Sequence, residues 1–98
     1  MKIFFDIEST GLDPDQDEIL QLSIINEKEE VLFNDYIHPV RHESWREAEK
    51  IHHISPEMVK DKQTFESRKQ EIQEIFDRAT ELIAYNAQFC LLYTSPSP

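Results

Sequence analysis

Two carboxylates, Asp6 and Glu8, stand one residue apart in the stretch KIFFDIESTG, residues 2 to 11, which otherwise reads as an apolar β-strand running into a turn. Side chains alternate along a strand, so Ile3, Phe5 and Ile7 fall on one face while Phe4, Asp6 and Glu8 fall on the other. Two acids so close repel when both ionise in an apolar setting, and burying them costs free energy unless a proton, a base or a cation compensates. Hard divalent cations such as Mg²⁺ or Mn²⁺ do this with few side chains, because they take carboxylate oxygens, keep several waters and accept substrate phosphate. The chemistry this pattern permits is phosphodiester hydrolysis by two ions, one activating water and the other steadying the leaving oxygen. The plainer alternative is a sheet edge whose polar face meets water.

The elements that must position these acids follow from periodicity. Residues 2 to 8 form the first strand, and STGLDPDQDE, with the only glycine, reads as a turn followed by a solvated loop. ILQLSII, from Ile19 to Ile25, is a second strand, NEKEE a polar connection, and the run from Val31 a third strand that stops before Pro39. Short connections between the three predict an antiparallel meander. HESWREAEKIHHI and SPEMV then predict short helices, the second with Ser55 as N-cap and Pro56 at the first helical position. Phe65, Ile72, Ile75, Phe76 and Ala79 recur at helical spacing behind Thr64, a plausible cap, and mark the longest helix. LIAY, residues 82 to 85, reads as a buried strand; after a helix packed on the sheet it is expected to pair in parallel through a crossover. The order βββ, α, β predicts an α/β layer structure. Phe65, Phe76 and Trp45 are expected in the core rather than as base-stacking platforms.

Composition narrows the function classes. Ninety-eight residues are one small domain's worth, and 20 Asp and Glu against 10 Lys and Arg leave a formal charge of −10. Such a balance opposes non-specific attraction to polyphosphate by a basic surface, so a nucleic-acid role must work through bound cations or local contacts. Cys90, the single cysteine, rules out an internal disulfide and fits a reducing compartment. The first apolar run breaks at Asp6 and no long apolar span follows, so a soluble cytoplasmic protein without membrane contact is expected. His38, His42, His52 and His53 could point to zinc, but no cysteine lies near them and only the adjacent pair is compactly spaced.

FDIESTGL resembles the first motif of the DEDD superfamily of 3'-5' exonucleases, a group that includes proofreading and RNA-trimming enzymes. YIHP at the end of the third strand and EAEKIHHISPEMV, similar to the family's Glu-Ala and His-Gly-Ile stretch, follow in the family's order. ELIAYNAQFC resembles its second motif, a strand ending in Tyr-Asn-Ala before a helix that presents an aspartate. The resemblance implies an RNase H-like fold, metal-dependent 3'-5' exonuclease activity, and Mg²⁺ or Mn²⁺ in a two-metal site. It assigns Asp6 and Glu8 as catalytic metal ligands that also meet substrate, with Ser9, Thr10, Gly11, Leu12, Glu47, His52 and Asn86 as further substrate-binding residues. The implied partner is a nucleic-acid 3' end, single-stranded DNA more readily than RNA, and a DNA polymerase or helicase is a further candidate. His53 stands where the family carries glycine, so the backbone beside His52 is open to change.

Cys90 occupies the place of the third catalytic acid, and a thiol is a poor ligand for Mg²⁺. The family's third motif, with the last aspartate and the general base, is not found downstream. Residues 1–89 are therefore read as the N-terminal part of an exonuclease domain, and 90–98 as a non-family tail, disordered or artefactual, from a chimeric or misread 3' end of the coding sequence. Little or no nuclease activity is expected of these residues by themselves. Loss of the sheet's far half is also expected to leave apolar residues such as Ile24 and Phe33 poorly buried. The competing reading is a non-catalytic nucleic-acid-binding or accessory domain of the same fold.

Overall fold

Alternation and turn chemistry build a four-stranded sheet. The computed structural model describes residues 1–13 and 15–84. Strand β1 (Lys2–Ser9) pairs antiparallel with β2 (Ile19–Asn26), and β2 with β3 (Val31–Tyr36). Helix α1 (Arg46–His52), a 3₁₀ turn (Pro56–Val59) and helix α2 (Phe65–Asp77) follow, before β4 (Glu81–Ala84) pairs in parallel with β1. The spatial order is β3-β2-β1-β4, so the meander and the crossover are both present and β1 is interior. Strand β4 begins one residue before the expected LIAY, and Tyr85 lies outside the described residues. Thr64 caps α2 by accepting the Ser67 N–H at 3.2 Å, satisfying one of the helix's free donors. No helix among the described residues is long and apolar enough to cross a membrane.

The main core lies between the sheet and α2. Ile3, Phe5 and Ile7 pack with Leu22, Ile24 and Phe33 from the neighbouring strands and with Ile72 and Ile75 from the helix. Phe5 meets Phe76 edge to face, with ring centroids 5.5 Å apart. Ile24 and Phe33 are 0% and 4% exposed, which overturns the expectation that they would be poorly covered. They share the face that α2 seals, and the Arg68 guanidinium lies 4.6 Å over the Phe33 ring.

A second cluster joins Leu20 to Trp45, Ile54 and Val59, fixing α1 and the 3₁₀ turn to the start of β2. Trp45 is buried, as expected of a packing residue, and its indole N–H donates to the Ile54 carbonyl at 2.7 Å. A β-bulge allows both clusters to draw on β2. Glu8 pairs with Gln21 and Ser9 with Ile19, so the register skips Leu20. The extra residue turns successive side chains into different environments, Ile19 into the main core and Leu20 into the second.

Candidate active site

On the face of β1 away from the main core, Asp6 and Glu8 are both half-buried. Directly opposite them on β2 are Ser23 and Gln21, and beyond these on β3 are Asn34 and Tyr36. Residues opposite one another share a face, so on the β2 side the two acids are flanked by neutral polar groups. No Lys or Arg pairs with either acid among the described residues. Burial pushes the Glu8 carboxyl above its ordinary range, the neighbouring Asp6 charge pushes it further, and His52 acts the other way. A pair of hard oxygen donors that is partly desolvated and lacks a counter-ion fits a divalent cation of the Mg²⁺ class, which binds through one or two carboxylates and completes its shell with water and phosphate. Among the described residues no group of three or more His, Cys, Asp or Glu side chains is placed to hold a metal ion, so these two acids stand as a pair.

The turn after β1 is held from within. Ser9 and Thr10 are buried, and the Ser9 hydroxyl donates to the Gly11 carbonyl at 2.5 Å. Thr10 N–H donates to the Glu18 carbonyl at 2.9 Å, and its hydroxyl both donates to Asp17 at 2.8 Å and accepts the Glu18 N–H at 2.9 Å. Gly11 is required by close approach, since a Cβ there would lie 2.4 Å from an Asp17 carboxylate oxygen. Leu12, by contrast, presents an exposed side chain.

His52 ties α1 to this turn. Its Nδ1 accepts the Ile54 N–H at 3.1 Å, which leaves Nε2 to carry the proton and donate to the Ser9 carbonyl at 2.8 Å. Glu47 is exposed on the first turn of α1 and engages Lys50 at 3.5 Å rather than the two acids. His53 closes α1 in the left-handed region, φ 60 and ψ 23, with its N–H on the Glu49 carbonyl. The glycine-like backbone is thus reached with a histidine, at a cost of about 1–2 kcal/mol. The histidines weighed for zinc are engaged separately: His38 Nδ1 with the Val59 carbonyl, His42 with acids before β2, and His52 as above. Asn86 and Cys90 lie outside the described residues.

The Exonuclease model of the RNase T type matches residues 3–93. The chain belongs to this exonuclease family. DNA polymerase III subunit epsilon from Rickettsia typhi is 39% identical over 93 residues, which cover 90% of this chain and 40% of that protein. The Rickettsia prowazekii subunit matches to the same extent. This exonuclease-family chain therefore spans about 40% of the length of these relatives. E. coli Exonuclease I in complex with a dA16 oligonucleotide matches with a TM-score of 0.70 at 22% identity, over 87% of this chain and 20% of its own. Exonuclease X in complex with 5' overhanging duplex DNA matches with a TM-score of 0.67 at 21% identity, over 100% and 56%. These likenesses establish an RNase H-like fold for the family member described here.

Sequence reasoning missed two residues of this exonuclease-family chain, Asp17 and Glu18. The segment before β2 was expected to be solvated, but the Asp17 and Glu18 side chains are only 18% and 13% exposed. Glu18 accepts the N–H groups of Val40, Arg41 and His42 at 2.8, 2.7 and 3.0 Å, and the His42 ring at 2.8 Å. Burial works to raise its carboxyl, yet the bonds from His42, Val40 and Arg41 prevail and hold it below the ordinary range. An acidic pair placed just before a strand was the one available signal.

Proposed function

We propose that this chain is part of a metal-dependent exonuclease that removes nucleotides from the 3' ends of nucleic acid, DNA in preference to RNA. The observation that carries the reading is the pairing of Asp6 and Glu8 on one half-buried strand face with no Lys or Arg partner among the described residues, within a fold shared with exonucleases. A bound Mg²⁺ or Mn²⁺ would supply activated water and charge neutralisation at the scissile phosphate. The chain's own residues hold that charge in place: β1 fixes both carboxylates side by side, and the Ser9–Leu12 turn and His52 set the end of the strand against which a terminal nucleotide would lie. The DNA preference draws on relatives that are DNA polymerase subunits and on neighbours bound to oligonucleotide or duplex DNA. The same relatives make a DNA polymerase the partner to test first. By themselves the 98 residues are proposed to hydrolyse little, because the two carboxylates found among the described residues do not complete a two-metal site.

Paramagnetic broadening by Mn²⁺ tests the site directly. Selective loss of amide signals from Asp6 to Thr10 in the 98-residue chain, abolished by Asp6→Asn with Glu8→Gln, is the expected result. Uniform broadening, or broadening that survives the double substitution, would overturn it.

A further inference from the structure

Asp17, Glu18 and His42 take no part in the function proposed above, yet they bridge two segments distant in sequence. His42 Nδ1 lies 2.8 Å from Glu18 Oε1, and Nε2 lies 3.3 Å from Asp17 Oδ1. A neutral imidazole can donate its one N–H to Glu18, whereas the ring protonated at both nitrogens also carries the positive charge that Asp17, at ion-pair distance, would meet. On the loop side, Glu18 gathers the N–H groups of residues 40 to 42. On the turn side, Asp17 accepts the Thr10 hydroxyl at 2.8 Å and the Asp13 N–H at 3.0 Å, and its carboxylate fills the space above Gly11. Both acids therefore face the ring at one end and hold backbone at the other.

We infer that His42 is a positioning residue: its doubly protonated ring clasps Asp17 and Glu18 together and through them fastens the Ser9–Leu12 turn, beside Asp6 and Glu8, to the loop at residues 40 to 42. Its bearing on catalysis rests on the function proposed above, whereas the clasp itself is a property of the free chain. Other charged or titratable groups around the ring are His38, Arg41 and Glu43 on its own loop, and Glu57 and Lys60 across the hollow they line together. Asp13 and Asp15, in the turn, are exposed. Among these groups, Asp17 and Glu18 are the carboxylates in bonding range of the ring nitrogens. Deprotonation of the ring removes the charge that pairs with Asp17 and loosens the clasp at that acid.

Residue-resolved amide exchange on the 98-residue chain, without metal or nucleic acid, reads the clasp directly. Protection factors at Val40 and Arg41, whose N–H groups end on the Glu18 carboxylate, and at Asp13, whose N–H ends on the Asp17 carboxylate, should fall about tenfold between about pH 6 and about pH 8. His42→Gln should remove this pH-dependent part, and Asp17→Asn, which keeps an acceptor for Thr10 but not the charge, should remove most of it. Protection that ignores pH in the unsubstituted chain, or a pH dependence that survives both substitutions, overturns the inference. Should His42→Gln fail to fold, the ring of the unsubstituted chain decides: an Nδ1 proton of His42 that exchanges slowly with water at about pH 6 supports the clasp, and one that exchanges as fast as in a free imidazole refutes it. Loss of selective Mn²⁺ broadening would overturn the metal site and leave this result standing, and the reverse holds equally.

Discussion

The two faces of β1 obey one alternation and come to opposite ends. Ile3, Phe5 and Ile7 are sealed beneath α2, each 4% exposed or less. Asp6 and Glu8, interleaved with them, stay half-buried among Ser23, Gln21, Asn34 and Tyr36. The sealed face is decided by packing, where area removed from water sets the energy. The open face is decided by what is withheld from it: a Lys or Arg opposite either acid would relieve their repulsion and occupy the oxygens a cation needs. One strand thus carries the centre of the core and, one residue over, a pair of charges left unsettled.

Substitutions can break or sharpen that contrast. Phe5→Ala removes a ring wedged against Phe76 and should cost about 3–5 kcal/mol in urea denaturation. Asp6→Ala, one residue along, should cost no more than about 0.5 kcal/mol. Equal losses at the two positions would erase the distinction between the faces. Gly11→Ala, at the rim of the open face, should destabilise by about 1–3 kcal/mol, because the new methyl meets the Asp17 carboxylate. Adding Asp17→Ala should recover part of that loss, whereas Asp17→Asn, of equal volume, should recover none.

His53→Gly should stabilise by about 1 kcal/mol, measured in the same denaturation, since φ 60 is strained for histidine and ordinary for glycine. Glu8→Gln should have the smallest effect and the most telling pH dependence. The folded state holds the Glu8 proton more tightly than the unfolded chain, so this group favours folding below its ordinary pKa of 4.5, and that contribution is lost as pH rises through the raised value. At neutral pH the ionised carboxylate opposes folding. The melting temperature of Glu8→Gln should therefore exceed that of the unsubstituted chain at neutral pH, with the gap closing under acid and narrowing when Mg²⁺ is added.

Much of this was legible in the residues. Period-2 alternation placed Asp6 beside Glu8, short polar connections gave the meander, and the stripe of Phe65, Ile72, Ile75 and Phe76 behind Thr64 gave α2. What escaped depends on partners far along the chain. Asp17 and Glu18 look solvated in a run of acids with Pro and Gly, and their shelter comes from a loop more than 20 residues away. Ile24 and Phe33 were misjudged because which sheet face a helix covers is a tertiary fact, absent from strand periodicity. His53 retains the helix-ending geometry expected of glycine, so residue type was a poor guide to backbone there.

The bulge at Leu20 has a consequence for how the molecule comes apart. Adjacent residues of β2 serve as anchors for two separate apolar clusters, Ile19 for one and Leu20 for the other. Neither cluster can lose its hold on β2 without dragging the neighbouring peptide out of register, so sheet, α1 and 3₁₀ turn are expected to melt together in thermal unfolding. The segment bearing His52 thereby shares the thermal fate of the strand bearing Asp6 and Glu8.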